Sequence, residues 1–165
     1  SSPALQSMMA PPFITNLPYL TAHPAFNCNL GDTLTFEYDE TLYSERIDHD
    51  SVITGDKDLI LQNSNKIELT EHLFDKDALI FSNVKSNYVI LNEKKAGKHI
   101  RFTFGDSPFL AIWAKPAAPF VCIEPWYGVN DSYEKATDFS KKRGIQKLSS
   151  GEKFEFSWSA EFKED

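Results

Sequence analysis

The hydrophobic and polar positions alternate most clearly near the end of the chain. In KFEFSWSAEF, residues 153–162, an aromatic or alanine side chain occupies every second position, with Glu or Ser between them. Because successive side chains of a β-strand point to opposite faces, this pattern predicts a strand with one buried and one solvated face. A face so rich in Phe and Trp needs a partner face of similar area to cover it.

Shorter segments of the same character predict further strands. They are LTFEY (34–38), ALIFSNV (78–84), NYVIL (87–91), HIRFTF (99–104) and FLAIWA (109–114), separated by Gly, Pro, Asn and Asp. Helix signals are weak and are confined to one turn in residues 69–77 and a short helix or extended excursion in residues 131–144. The series favours an all-β antiparallel sandwich. No convincing strand precedes residue 23, so part of the partner face is expected from elsewhere.

Composition and charge narrow the class of protein. The 165 residues carry a net charge of −7 and are 41% hydrophobic, which is typical of one soluble globular domain. A nucleic-acid partner is not expected, because the only basic cluster is residues 141–143, which we interpret as a solvated turn. A membrane span is not expected either, because no apolar run approaches roughly 20 residues. The two cysteines, Cys28 and Cys122, lack the spacing of a disulfide framework or a zinc motif, and a reducing cytoplasm is favoured.

A carboxylate interrupts the apolar segment PFVCIEPWYG, residues 119–128. We expect Glu124 to be the last residue of a buried strand that Pro125 and Gly128 then break. One interpretation is a carboxylate satisfied by backbone N–H groups. The other is a general base whose pKa is raised by desolvation among aromatic rings. Trp126 offers a flat apolar surface on which the C–H face of a sugar ring can lie.

Of the four histidines, His23 has the most distinctive setting. It lies in LTAHPAFNCNL, where Pro24 forces the preceding residue into an extended conformation and so holds the imidazole on a fixed backbone. A buried histidine bonded to a carbonyl is the structural alternative, and surface or packing roles are expected for His49, His72 and His99. A base, an acidic histidine and an aromatic wall together indicate proton transfer on a carbohydrate.

Four segments resemble the aldose 1-epimerase (galactose mutarotase) family, and most closely the C-terminal half of its LacX-like branch. They are AHPAFNC (22–28), LFDKDALIF (73–81), IWAKPAAPFVCIEPWYGVNDS (112–132) and GIQKLSSGEKFEFSWS (144–159), in the family's order. The resemblance covers residues 18–162. It implies a large β-sandwich, the galactose mutarotase-like supersandwich, that interconverts the α and β anomers of a free hexose such as galactose or glucose. It also implies that neither a metal nor an organic cofactor is needed.

Site residues carry over from the resemblance by position. Glu124 matches the general base that takes a proton from the anomeric hydroxyl, and His23 matches the general acid that donates to the ring oxygen. Asp77 matches an acidic residue that hydrogen-bonds sugar hydroxyls, and Trp126 is a ring-contacting neighbour on chemical grounds. The branch usually has glycines before its histidine, where this chain has Thr21 and Ala22.

The resemblance also sets expectations for domain organisation. Residues 1–17 are a poorly matched N-terminal segment, and residues 18–165 are the C-terminal part of the sandwich domain. In the family, the N-terminal half adds strands, an arginine and another histidine, so that half of the same protein is an expected partner. Two other functions stay open, namely a carbohydrate-binding sandwich without turnover and a half-domain whose strand edges pair with another polypeptide.

Overall fold

The computed structural model describes residues 4–9, 20–95, 97–134 and 138–164. In this part of the chain the fold is all-β, with eleven strands and one short 3-10 helix, Phe139–Lys141. The strands are β1 (Ala4–Met9), β2 (Leu20–Thr21), β3 (Ala25–Asn27), β4 (Thr33–Ile47), β5 (Ile53–Glu68), β6 (Leu79–Ser82), β7 (Tyr88–Asn92), β8 (Lys98–Thr103), β9 (Phe109–Trp113), β10 (Phe120–Tyr127) and β11 (Lys153–Glu164). The described residues contain no helix long and apolar enough to cross a membrane.

All eleven strands form one antiparallel sheet, which curls into a sandwich. Its order is β1-β11-β8-β7-β4-β6-β9-β10, with β2 and β3 both beside β10 and with β5 beside β4. Strands far apart in this order nevertheless pack face to face. The rings of Phe26 in β3 and Phe102 in β8 lie 5.6 Å apart, and those of Tyr127 in β10 and Phe156 in β11 lie 4.9 Å apart. The predicted all-β antiparallel sandwich is therefore confirmed.

The hydrophobic alternation explains strands such as β7, whereas β9 is apolar on both faces. In β7, Val89 and Leu91 are fully buried and their neighbours are half-buried. In β9 the four residues before Trp113 are all buried. Leu110 and Ile112 belong to the main core, and Phe109 and Ala111 belong to a second cluster on the opposite face. A strand covered on both faces has no polar side to reveal its period.

The hairpin of β4 and β5 was not predicted. Only residues 34–38 were expected to be extended, yet β4 runs to Ile47 and pairs along β5 with several register shifts. The sequence of β5 is rich in Asp, Asn, Lys and Gly, and most of its side chains are exposed or half-buried. Its conformation therefore depends on hydrogen bonds to β4 rather than on its own hydrophobic pattern.

The expectation of no strand before residue 23 was wrong. Ala4–Met9 pairs antiparallel with β11, and Leu20–Thr21 pairs with β10. The segment at residues 69–77 forms successive turns rather than a helical turn, and the segment at 131–144 contains the 3-10 helix; residues 135–137 within it lie outside the described part. The aromatic face of β11 is only partly covered, since Phe156 is buried but Phe162 is 71% exposed.

The chain after β10 folds back over the second hydrophobic cluster, and a glycine makes the close contact. Gly144 has a φ of +76°, and a Cβ atom there would lie 2.6 Å from Phe109 Cε2 and 3.0 Å from Gly128 Cα. Both distances are below ordinary contact, and one of them is to backbone. Only glycine allows this segment to approach the sheet so closely.

We expect Gly144→Ala to destabilise the fold more than Gly151→Ala. Gly151 has a similar φ of +80° but nothing within 4 Å of the added methyl. Both variants incur the cost of a left-handed backbone, and only Gly144→Ala adds overlap, which typically costs about 1–3 kcal/mol. Urea unfolding of the two variants measures the difference. Equal losses of unfolding free energy would show that the close approach is not needed.

Candidate active site

A histidine and a carboxylate meet across two neighbouring strands. Strands β2 and β3 pair with β10 in one continuous register, which places His23, in the gap between them, directly across from Glu124. The Nδ1 atom of His23 lies 2.8 Å from Oε2 of Glu124. The two residues that the sequence predicted as acid and base are therefore in direct contact on the same side of the sheet.

The proline after His23 contributes to this placement as expected. Pro24 favours an extended backbone at His23, although neither residue belongs to a strand. The carbonyl of Pro24 accepts a hydrogen bond of 3.2 Å from the N–H of Ile123. The backbone next to the imidazole is thus tied to β10. His23 itself is not the buried histidine of the structural alternative, because its side chain is 60% exposed.

The expected strand end at Glu124 was wrong, because β10 continues to Tyr127. Pro125 has no N–H to donate, but it lies beside the gap between β2 and β3, where the ladder is already interrupted. Its carbonyl still accepts a 3.1 Å hydrogen bond from the N–H of Ala22. A proline is tolerated within a strand where the neighbouring strand does not require its missing donor.

The hydrogen bonds of Glu124 differ from those of two other buried carboxylates. Glu40 accepts bonds from the N–H groups of Lys85 and Ser86, and Asp32 accepts them from those of Asn29 and Lys94. Those carboxylates satisfy backbone groups, which is the structural interpretation we considered for Glu124. Among the described residues, Glu124 accepts no backbone N–H and is bonded only by side chains.

Those side-chain bonds hold one oxygen and leave the other available. Oε2 of Glu124 accepts from Trp126 Nε1 at 3.0 Å and faces His23, whereas Oε1 has no hydrogen-bond partner among the described residues. The side chain is only 4% exposed. A buried carboxylate oriented by two donors, with one oxygen unused, is arranged as a general base requires.

Burial raises the pKa of Glu124 above its ordinary value, because water no longer solvates the charged form. The positive charge of protonated His23 and the hydrogen bond from Trp126 act in the opposite direction and partly offset the desolvation. A raised pKa makes the carboxylate a stronger base near neutral pH than an exposed glutamate would be.

A row of side chains on this face leads from Glu124 to a second buried carboxylate. Glu124 pairs with Ala111, Ala111 with Ile80, and Ile80 with Glu45, across β10, β9, β6 and β4. Arg143 lies 2.8 Å from Oε2 of Glu45 and so holds the segment after β10 over the row. Oε1 of Glu45 is buried without a hydrogen-bond partner in the described part of the chain.

Trp126 joins the pair, but Asp77 does not contact it. Asp77 precedes β6, has a φ of +79°, and accepts a 2.7 Å hydrogen bond from the N–H of Ala78. It lines a cleft of about 400 Å³ together with Arg46 and Lys76. The structure therefore brings together three of the four predicted site residues. A second cleft, of about 480 Å³, is lined by residues such as Asn130 and Arg143, and neither His23 nor Glu124 lines it.

Cys122 is a further neighbour of the pair. Its Sγ lies within 4.8 Å of a ligand atom of His23 and of Glu124. Burial, with a smaller contribution from the charge of Glu124, raises the pKa of the Cys122 thiol to about 11. The thiol is therefore protonated at neutral pH and is a poor nucleophile. Cys122 and Glu124 share one face of β10, but only the fold adds the histidine.

Comparisons with known proteins bear on the family and the fold of the chain. No protein-family model matches the chain. Protein LacX of Lactococcus lactis subsp. lactis, in plasmid and chromosomal forms, is 33% identical over 144 residues, which cover 80% of this chain and 48% of the relative. The chain thus spans about half the length of the curated relatives it matches.

Two solved structures are similar over nearly the whole chain. A galactose mutarotase related enzyme from Lactobacillus acidophilus is 26% identical, with a TM-score of 0.86 over 96% of this chain and 56% of that chain. A galactose mutarotase-like protein from Lactobacillus casei is also 26% identical, with a TM-score of 0.85 over 96% of this chain and 58% of that chain.

We expect Trp126→Phe to raise the pKa of Glu124 further. The substitution keeps an aromatic ring but removes the N–H that stabilises the carboxylate, so the acid form persists to higher pH. Carbon-detected NMR titration of the Glu124 carboxyl measures the pKa in parent and variant. Trp158→Phe is the control, because that indole packs on Phe102 in the main core and does not touch Glu124. A fall in the pKa of Glu124 in Trp126→Phe would contradict the assigned role of the indole.

Proposed function

We propose that this chain, which belongs to the aldose 1-epimerase (galactose mutarotase) family in its LacX-like branch, uses Glu124 and His23 to interconvert the α and β anomers of a free hexose. The substrate would be a small-molecule sugar such as galactose or glucose. The observation that supports the proposal most directly is the contact between an exposed imidazole and a buried carboxylate that binds no backbone N–H.

In the proposed reaction, Glu124 acts as the base. Its unused Oε1 takes the proton of the C1 hydroxyl of the sugar, and the electron pair left on that oxygen forms the C1 carbonyl. The bond between C1 and the ring oxygen breaks, and its electron pair stays on the ring oxygen. The hydrogen bond from Trp126 to Oε2 keeps the carboxylate in place during the transfer.

His23 acts as the acid on the same sugar. With Nδ1 directed at Glu124, the Nε2–H of the imidazolium is left to protonate the ring oxygen as it departs. The open-chain aldehyde rotates about the bond next to C1, and closure reverses both proton transfers on the other face of the carbonyl. Two oriented proton-transfer groups are sufficient for this reaction, so the proposal requires neither a metal nor an organic cofactor.

We also propose that a further part of the protein completes the sugar site. The chain covers 48% of the LacX relatives, and Phe162, on a strand face expected to be buried, is 71% exposed. In this proposal, residues 18–165 are the C-terminal part of the sandwich domain, residues 1–17 are a poorly matched segment whose strand β1 joins the same sheet, and the N-terminal half of the same protein covers the exposed side of His23. A cytoplasmic location, with neither a nucleic-acid nor a membrane partner, belongs to the same proposal.

We expect Glu124→Gln and His23→Gln each to slow anomer interconversion by about 10²–10⁴-fold, because each removes one proton-transfer group. The assay follows freshly dissolved α-galactose or α-glucose by polarimetry or NMR, using the full-length protein that contains this chain. The rate is compared with that of buffer alone.

His72→Gln is the matched control for His23→Gln. His72 also faces a carboxylate through Nδ1, at 2.9 Å from Asp75, but both of these side chains are exposed. A parental rate in Glu124→Gln would refute the mechanism. Saturable sugar binding with no acceleration by the parent would instead indicate a carbohydrate-binding protein without turnover.

We expect Asp77→Asn to raise the KM for the sugar about tenfold while changing kcat little. The proposed role of Asp77 is a hydrogen bond to a sugar hydroxyl, and a bond to a charged group is worth roughly 1.5 kcal/mol or more. Asn keeps the acceptor for Ala78 and tolerates the left-handed backbone. Asp39→Asn, which changes an exposed aspartate on β4, is the control. An unchanged KM in Asp77→Asn would remove Asp77 from the sugar site.

A further inference from the structure

We propose that His23, Cys122 and Glu124 form a zinc-binding site, and that zinc bound there inhibits the proposed reaction. An imidazole nitrogen, the Sγ atom and a carboxylate oxygen of these residues all lie within 4.8 Å of one another. The metal would be an inhibitor at this site, not a cofactor of the isomerase.

The three ligand atoms are of the types that zinc prefers. Thiolate sulfur, imidazole nitrogen and carboxylate oxygen bind zinc at about 2.0–2.3 Å, so the ligand atoms of a tetrahedral site lie roughly 3.3–3.8 Å apart. From a spread of 4.8 Å, a contraction of about 1 Å suffices. The exposed side chain of His23 can supply that movement, whereas Cys122 and Glu124 are held within β10.

Glu124 offers an independent reason to expect a cation here. Its Oε1 atom has no hydrogen-bond partner among the described residues although the side chain is 4% exposed. Oε1 is not one of the fully buried unpartnered atoms of the described residues, so an ion can reach it, and a cation there would stabilise the charge of this largely buried carboxylate. Zinc would bind this oxygen while Oε2 keeps its bond from Trp126.

The geometry is that of an open metal site. Cys122 and Glu124 come from β10 and His23 from the gap between β2 and β3, and the exposed side of His23 leaves a fourth position for water. As zinc binds, the Cys122 thiol releases its proton to solvent and the S–Zn bond forms; no oxidation or reduction occurs. Zinc then occupies the proton-accepting oxygen of Glu124 and withdraws His23 from the sugar.

A second group of ligands provides an internal comparison. Asp48, His49 and Asp50 also place ligand atoms within 4.8 Å of one another, but His49 and Asp50 are largely exposed and the group has no thiolate. Cys28 is the matched cysteine, because it is buried and free like Cys122 and its thiol pKa is likewise raised to about 11 by burial. Cys28 belongs to the main core, away from Glu124.

The test measures zinc binding without sugar, on the metal-free full-length protein that contains this chain, by competition with a chromophoric chelator. We expect the parent to bind one zinc ion per chain. Cys122→Ser and His23→Gln should each lose that ion or bind it at least about tenfold more weakly. Cys28→Ser and His49→Ala should bind as the parent does. His23→Gln changes an exposed side chain, so it remains informative if Cys122→Ser fails to fold.

Cobalt(II) provides a spectroscopic readout of the same site. The parent should show a near-ultraviolet charge-transfer band from thiolate to cobalt that is absent in Cys122→Ser and present in Cys28→Ser. Parental zinc affinity in both Cys122→Ser and His23→Gln, or loss of zinc in His49→Ala, would overturn the proposal.

The proposed inhibition rests on the proposed function, and it is measured in an assay separate from zinc binding. Zinc should slow anomer interconversion in the parent, and a chelator should restore it. Zinc binding at Cys122 in a protein that shows no mutarotation would leave the metal site standing and reject the proposed isomerase. Mutarotation that is unaffected when zinc is bound would instead reject the inhibition.

Discussion

The contact between the His23 imidazole and the Glu124 carboxylate is the interaction on which the site depends. A charged carboxylate buried to this degree costs several kcal/mol unless donors or a cation compensate it. Glu40 and Asp32 obtain that compensation from backbone N–H groups. Glu124 obtains it from Trp126 and His23 and keeps one oxygen unbonded by the described residues. The same balance raises its pKa, and it underlies the proposed roles of Glu124 as a base and as a metal ligand.

Strand pairing within the curled sheet brings these two side chains into contact. The gap between β2 and β3 exposes the imidazole without breaking the register with β10, so His23 stays level with Glu124. On the far side of Glu124, small and apolar residues lead across the sheet to the buried pair of Glu45 and Arg143. That ion pair and the close approach of Gly144 hold the returning segment against the sheet. The face that carries His23 and Glu124 is therefore supported by packing on one side and open on the other.

Strands were predictable from the sequence where one face is buried and the other is exposed to solvent. The strands at residues 87–91, 99–104 and 153–162 follow the period of two, and each was found where it was expected. The strand β5 was missed because its polar, glycine-containing sequence is extended only by its pairing with β4. The continuation of β10 through Pro125 was missed for a related reason. A proline ends a strand only if the neighbouring strand needs its N–H, and that depends on where β2 stops and β3 begins.

The sequence by itself determined the chemical character of the site. It placed a carboxylate and an indole two residues apart in an apolar segment, and an extended histidine before a proline, because these features depend on local order along the chain. Tertiary structure alone decided that His23 lies opposite Glu124, that the thiol of Cys122 lies beside both, and that Asp77 contacts neither. Such distances follow from strand register and from the curl of the sheet, which depend on hydrogen bonds and packing between segments far apart in the chain.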